Sequence, residues 1–148
     1  MTNRAIPNQV ALREQLFTYA QELELSILGI TSSDPFAEGA QAATARLSDG
    51  FMGDLPWYTQ ERIDRGTNPI ALLPGARSII SVAVIYPSTR PELGNRRGRV
   101  ARYAWGRDYH NVLKKRLKQL ITRVSEHLER PIAYKIYVDD GPVSYTHL

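Results

Sequence analysis

Residues 78–86, SIISVAVIY, constrain the fold more than any other stretch of the chain. The run is uncharged, rich in β-branched residues and apolar almost throughout. It therefore predicts a strand, and one central enough to be covered on both faces. A covered strand needs helices beside it, and the sequence supplies them. Residues 8–24 place Leu12, Leu16, Tyr19, Ala20 and Leu23 on one face of a 3.6-residue period, with Asn8 as the N-cap. Residues 108–128 place Leu113, Leu117, Leu120, Ile121, Val124 and Leu128 on a second apolar stripe, with Lys114, Lys115 and Lys118 off it.

Between these landmarks, residues 26–31 (SILGIT) predict a short buried strand. Ser32, Ser33, Asp34 and Pro35 read as the start of an alanine-rich helix that runs through Leu47 and ends at Asp49-Gly50. Residues 50–77 hold three prolines and four glycines and read as irregular. A stretch of that length is functional or disordered, and Phe51, Met52, Leu55, Trp57 and Tyr58 argue against disorder. Residues 87–98 form a polar loop. Residues 132–138 predict a last strand, closed by Asp139-Asp140-Gly141-Pro142. The expected architecture is an α/β (α+β) sandwich, a small central sheet flanked by helices.

A chain of 148 residues suits one domain. It contains no cysteine, which excludes disulfides, cysteine-held zinc, a cysteine nucleophile and iron–sulfur clusters bound by these residues. No apolar run approaches the roughly 18 residues of a membrane span, and residues 1–10 lack the apolar core of a secretory signal. The expected setting is the cytoplasm. Net charge is +4, but residues 96–130 carry 11 basic and 3 acidic side chains while residues 1–95 carry 7 and 10. A basic block of that kind is either a solvated helix face or a contact for an anionic partner such as nucleic acid.

Three constellations carry possible chemistry. Residues 102–110 (RYAWGRDYH) combine stacking rings with guanidinium groups. The plainer reading has Trp105 and Tyr109 fastening a loop to the core while Asp108 caps the following helix. Asp108-Tyr109-His110 opens like the Asp-x-His-x-x-Gly motif that ligates cobalt, but the glycine position is Leu113, so His110 is not assigned as a cobalt ligand. Asp139 follows a predicted strand and is either a general acid at the mouth of a site or a turn residue. His110, His127 and His147 are too scattered for a zinc site, and no phosphate-cradling glycine motif or G-x-S-x-G is present.

Taken together, LLPGARSII (72–80), VARYAWGRDYH (100–110), YVDDGP (137–142) and GFMGDL (50–55) resemble the N-terminal domain of the epoxyqueuosine reductase family, over nearly all of residues 12–142. The resemblance implies reduction of the epoxide of epoxyqueuosine, at the wobble position of tRNA, to queuosine. It implies cobalamin and two 4Fe-4S clusters as cofactors, an electron donor of unknown identity and no membrane. It assigns the first Asp of a Val-Asp-x-Gly motif, here Asp139, as the acid that protonates the departing oxygen. It assigns Arg65 to cobalamin, with Arg62 as the alternative because the spacing is one residue long. Ala101 maps near the cobalt face, and Tyr103, Asp108, Tyr109 and His110 map to the pocket wall.

Two departures accompany the resemblance. The family's iron–sulfur half, with its Cys-rich motifs, has no counterpart here, so the chain alone is expected to be inactive. After Pro142 the family continues with an acidic residue and an arginine, whereas this chain reads VSYTHL. Residues 1–142 are therefore expected to be the cobalamin-binding domain and residues 143–148 a truncated or non-native tail. Two alternatives stay open: a non-catalytic RNA-binding module of the same fold, and a flavin reductase of related architecture.

Overall fold

The computed structural model describes residues 9–53, 55–85 and 106–139. In chain order the elements are α1 (Gln9–Glu22), β1 (Ile27–Ser32), α2 (Ala37–Ser48), α3 (Gln60–Gly66), α4 (Pro69–Leu72), β2 (Ser78–Ala83) and α5 (Tyr109–His127). Strands β1 and β2 pair in a two-stranded sheet, so the architecture is α+β. Among the described residues no helix is long and apolar enough to cross a membrane.

The chain divides into two compact units. The first lies within Met1–Gly29 and Ser81–Ile132. There α1 packs on α5 through the stripes that the sequence predicts. Leu16, Ala20 and Leu23 are buried on one side and Leu120 and Val124 on the other, with Leu25 closing the cluster. Each leucine so buried contributes about 1.5–3 kcal/mol. At the rim, Arg116 bonds the Glu24 carboxylate and, at 3.3 Å, the Glu24 carbonyl, while Arg123 bonds Glu22. Tyr19 meets His127 edge-on at 6.4 Å, and the Arg123 guanidinium lies 5.7 Å from the centre of the Tyr19 ring.

The second unit lies within Ile30–Ile80 and Ala133–Leu148. Its helices are short, and their apolar contribution is small: Ala43, Ile63 and Pro69 are buried. Local hydrogen bonds do the rest. Thr59 caps α3 by accepting from the Arg62 N–H at 3.3 Å, and Asn68 caps α4 by accepting from Ala71 at 3.4 Å, with Pro69 at its first position. Thr67 donates its buried hydroxyl to the Ile63 carbonyl at 2.8 Å, and its own carbonyl accepts from Phe36 at 2.8 Å. Helix α2 ends with Gly50 at φ +74°, its N–H bonding Leu47 while the Phe51 N–H reaches back to Arg46. Only a residue free of Cβ strain takes that turn readily.

Four expectations need correction. Strand β2 is not covered on both faces among the described residues: β1 is its single partner there, and its residues are exposed or half-buried. It also ends at Ala83, because Ile85 gives its N–H to the Ser26 hydroxyl at 3.0 Å rather than to a ladder carbonyl. Pro35 lies near the first turn of α2, two residues before Ala37, but the cap is Phe36 and no side chain of the Ser-Ser-Asp run caps the helix. Ser32 donates instead to Asp34 at 2.7 Å and Ser33 to the Ala76 carbonyl at 2.8 Å. Residues 50–77 are not irregular throughout, since they contain α3 and α4. Residues 132–138 form no regular strand, and their anchors are side chains: Val138 is buried and Lys135 donates to the Leu72 carbonyl at 2.9 Å. Asn8 and the loop at 87–98 lie outside the described residues.

Candidate functional site

The start of α5 is organised around Asp108. Its φ of −54° and ψ of 112° lie outside the helix, which lets the side chain turn back over the first turn. One carboxylate oxygen accepts the His110 backbone N–H at 3.0 Å and lies 2.8 Å from His110 Nδ1, and the other accepts from Asn111 at 3.0 Å. The side-chain hydrogen bond to His110, followed by the bond from the His110 backbone, holds the Asp108 carboxyl below the usual carboxylate range. Tyr109 and His110 stack at 4.1 Å with an interplanar angle of 29°. Asp108, Tyr109 and His110 are thus brought together, and the capping role is realised. Asp108 fixes the imidazole while its lone pairs are spent on local donors, which fits a wall of a site better than its reacting group.

In the second unit, α3 presents Arg62 and Arg65, both exposed, one turn apart. Their surroundings differ. The Arg62 guanidinium lies 4.8 Å from the centre of the Trp57 ring, and Trp57 meets Tyr58 edge-on at 5.6 Å. A cation held over an indole face keeps its plane and loses some of its freedom to reach elsewhere. Among the described residues, Arg65 has no side-chain hydrogen bond, ion pair or ring contact. Sequence reasoning had not joined Arg62 to Trp57. The signal was available: the Trp57-Tyr58 pair, then Thr59 as N-cap, so that the first turn of α3 carries Arg62 back over the indole.

Asp139 ends the extended segment of the same unit. Val138 before it is 6% exposed and pins the chain, while Asp139 itself is exposed. Its backbone sits at φ +55°, in the left-handed region. Few residues other than glycine adopt it, and aspartate does so more readily than most because its short side chain bonds locally. The left-handed backbone agrees with the turn reading of Asp139 and leaves the acid reading open. It does not sit at a strand's C-terminal end, because no strand precedes it. Ala101 and Tyr103 lie outside the described residues.

The family model described as "Epoxyqueuosine reductase QueG, DUF1730" matches residues 67–140. The chain is 34% identical over 138 residues to an epoxyqueuosine reductase of Bacillus cereus, covering 90% of this chain and 35% of that protein. It is 36% identical over 140 residues to one of Listeria monocytogenes, covering 90% of this chain and 36% of that protein. Among solved structures, it resembles an epoxyqueuosine reductase crystallised with an epoxyqueuosine-modified tRNA-Tyr stem loop. The TM-score there is 0.78 at 31% identity, over 91% of this chain and 36% of the other. A selenomethionine-labelled epoxyqueuosine reductase matches with a TM-score of 0.71 at 30% identity, over 81% of this chain and 32% of the other. The chain thus spans about a third of the length of the relatives it matches.

Proposed function

The chain belongs to the epoxyqueuosine reductase family, and from that premise we propose that it is the cobalamin-binding portion of an enzyme reducing epoxyqueuosine in tRNA to queuosine. The observation that carries the proposal is the family match across residues 67–140, which takes in both the α5 cap and Asp139. The likeness to a reductase seated on a modified tRNA stem loop supports tRNA as the substrate. A tRNA substrate fits a cytoplasmic setting.

The residues suit a corrinoid. Such a ligand offers amide carbonyls and a phosphate, and a guanidinium with no protein partner among the described residues meets both kinds of acceptor. Arg65 meets that description and Arg62, tied to Trp57, does so less well. We therefore assign Arg65 as the cofactor contact, with Tyr109 and His110 as wall residues and Ala101 and Tyr103 as further contacts. When bound, cobalamin supplies the electrons that open the epoxide. These 148 residues contain no cysteine, so the 4Fe-4S clusters are held by other residues, and the chain by itself does not turn over. The electron donor remains to be identified.

The chain's own part in the chemistry is proton delivery. Opening an epoxide leaves an alkoxide, which departs easily only if it is protonated. Asp139 is exposed, with its backbone in the left-handed region, and its carboxyl is the group we assign to give a proton to the epoxide oxygen.

Cobalamin titrated into the chain should show a saturable change in visible absorbance. Arg65→Ala should weaken binding at least tenfold and Arg62→Ala much less. Asp139→Asn should retain cobalamin but, placed in a full-length reductase, lower epoxide reduction by roughly 10²–10⁴-fold, read as epoxyqueuosine remaining in digested tRNA. An unchanged cobalamin spectrum would overturn the cofactor assignment, and an active Asp139→Asn enzyme the acid assignment.

A further inference from the structure

The structure sorts the cations of α5 into two groups. Arg116 and Arg123 bond Glu24 and Glu22, so their charge is spent on joining α5 to α1. Lys114 interacts with the capping carboxylate of Asp108. Lys115 and Lys118 are different: both are exposed, and among the described residues neither ammonium group has a hydrogen bond or ion pair. They sit on one ridge of the helix with Asn111 and Thr122, at intervals of four, three and four residues, and all four residues are exposed. The ridge carries no carboxylate between Asn111 and Thr122 and no aromatic ring.

A lysine pair without a neighbouring acid projects its positive field into solvent. With no ring on the ridge itself, the pair offers no platform for stacking a base and suits the sugar–phosphate backbone instead. We propose that Lys115 and Lys118 form a phosphate-docking ridge for the stem of the tRNA substrate, whereas Arg116 and Arg123 take no part in RNA binding. The occupant follows from charge complementarity, and the assignment rests on the tRNA reading given above. Among the lysines and arginines of α5, only Lys115 and Lys118 then serve the RNA.

The test measures binding of a fluorescently labelled tRNA-Tyr anticodon stem loop to the chain by anisotropy across a salt series. Each phosphate contact adds roughly 0.7–0.9 to the slope of log affinity against log salt. Lys115→Gln/Lys118→Gln should therefore reduce the magnitude of that slope by about 1.4 to 1.8 and weaken binding roughly tenfold at low salt. Arg116→Gln should lower the melting temperature and leave the slope unchanged. A double variant with wild-type slope and affinity overturns the ridge and leaves the tRNA reading standing. A wild-type chain that binds no stem loop removes that reading for this chain and the ridge with it. Amine-reactive footprinting of the unmodified chain gives a second readout free of folding effects. Bound RNA should protect Lys115 and Lys118, and equal labelling with and without RNA overturns the proposal.

Discussion

Helices α1 and α5 run 14 and 19 residues, whereas α3 and α4 run 7 and 4. The long pair is joined by buried leucines and edged by ion pairs. The short pair depends on Thr59, Asn68 and Thr67, each satisfying a backbone group at a helix end. Length explains the difference. A helix of one or two turns has most of its N–H and C=O groups at an end, so capping weighs more than burial. The contrast also separates roles. The first unit offers a stiff helix start and a charged ridge; the second offers exposed groups (Arg65, Trp57 and Asp139) on small elements with little core beneath them.

The strongest way to break the comparison is to hollow out the long pair. Leu120 is 1% exposed. Leu120→Ala should cost about 2–5 kcal/mol, measured by denaturant unfolding. A loss below about 1 kcal/mol would mean that the contact between α1 and α5 is not the core of its unit. Thr59→Ala tests the short pair and should cost about 1 kcal/mol. Its more telling readout is amide exchange: residues 60–66 should exchange faster while α5 keeps its protection. Equal acceleration in α5 would show the two units opening as one and would erase the distinction.

Periodicity made the long pair readable in the sequence, and composition alone could not have done so. Leu16, Ala20, Leu120 and Val124 are buried where a 3.6-residue repeat puts them. Asp108 was readable too, because a short acidic side chain directly before an apolar repeat is an N-cap signal. Helices α3 and α4 escaped notice because neither is long enough to show a repeat, although Thr59 and Asn68-Pro69 mark both starts. The apolar run at β2 misled in another way. A strand covered twice and a ribbon of two strands both favour β-branched residues, so the run reports strand and not coverage. Residues 132–138 carry strand-like side chains, yet the segment is fixed by Val138 and Lys135 rather than by a ladder. Within the candidate site, the role of Asp139 came from family resemblance. No local pattern distinguishes an acid from a turn residue.

The smallest expected effect concerns pH, and it sharpens the contrast at the helix start. The Asp108 carboxyl is held below its ordinary value of 3.8 by its bonds to His110. A depressed acid favours the folded state above its unfolded pKa and loses that contribution as pH falls through the folded value. The cap of α5 should thus be intact at neutral pH and fail only under strongly acidic conditions. NMR titration should show the Asp108 carboxyl carbon and the His110 amide moving together, below the range of a free aspartate. Independent titration of the two would separate the carboxyl from the cap. The caps of α3 and α4, built from a hydroxyl and an amide, should show no such transition.

The left-handed backbone at Asp139 limits what evolution or engineering can write at that position. Glycine fits the conformation without strain, and asparagine fits it at least as well as aspartate. Glycine brings no side chain and asparagine no carboxyl, while glutamate moves its carboxyl one carbon further from the turn. The local alphabet therefore contains a single letter that joins this backbone to a short carboxyl. On backbone conformation alone, a library randomised at residue 139 and selected for folding should be enriched in glycine, asparagine and aspartate.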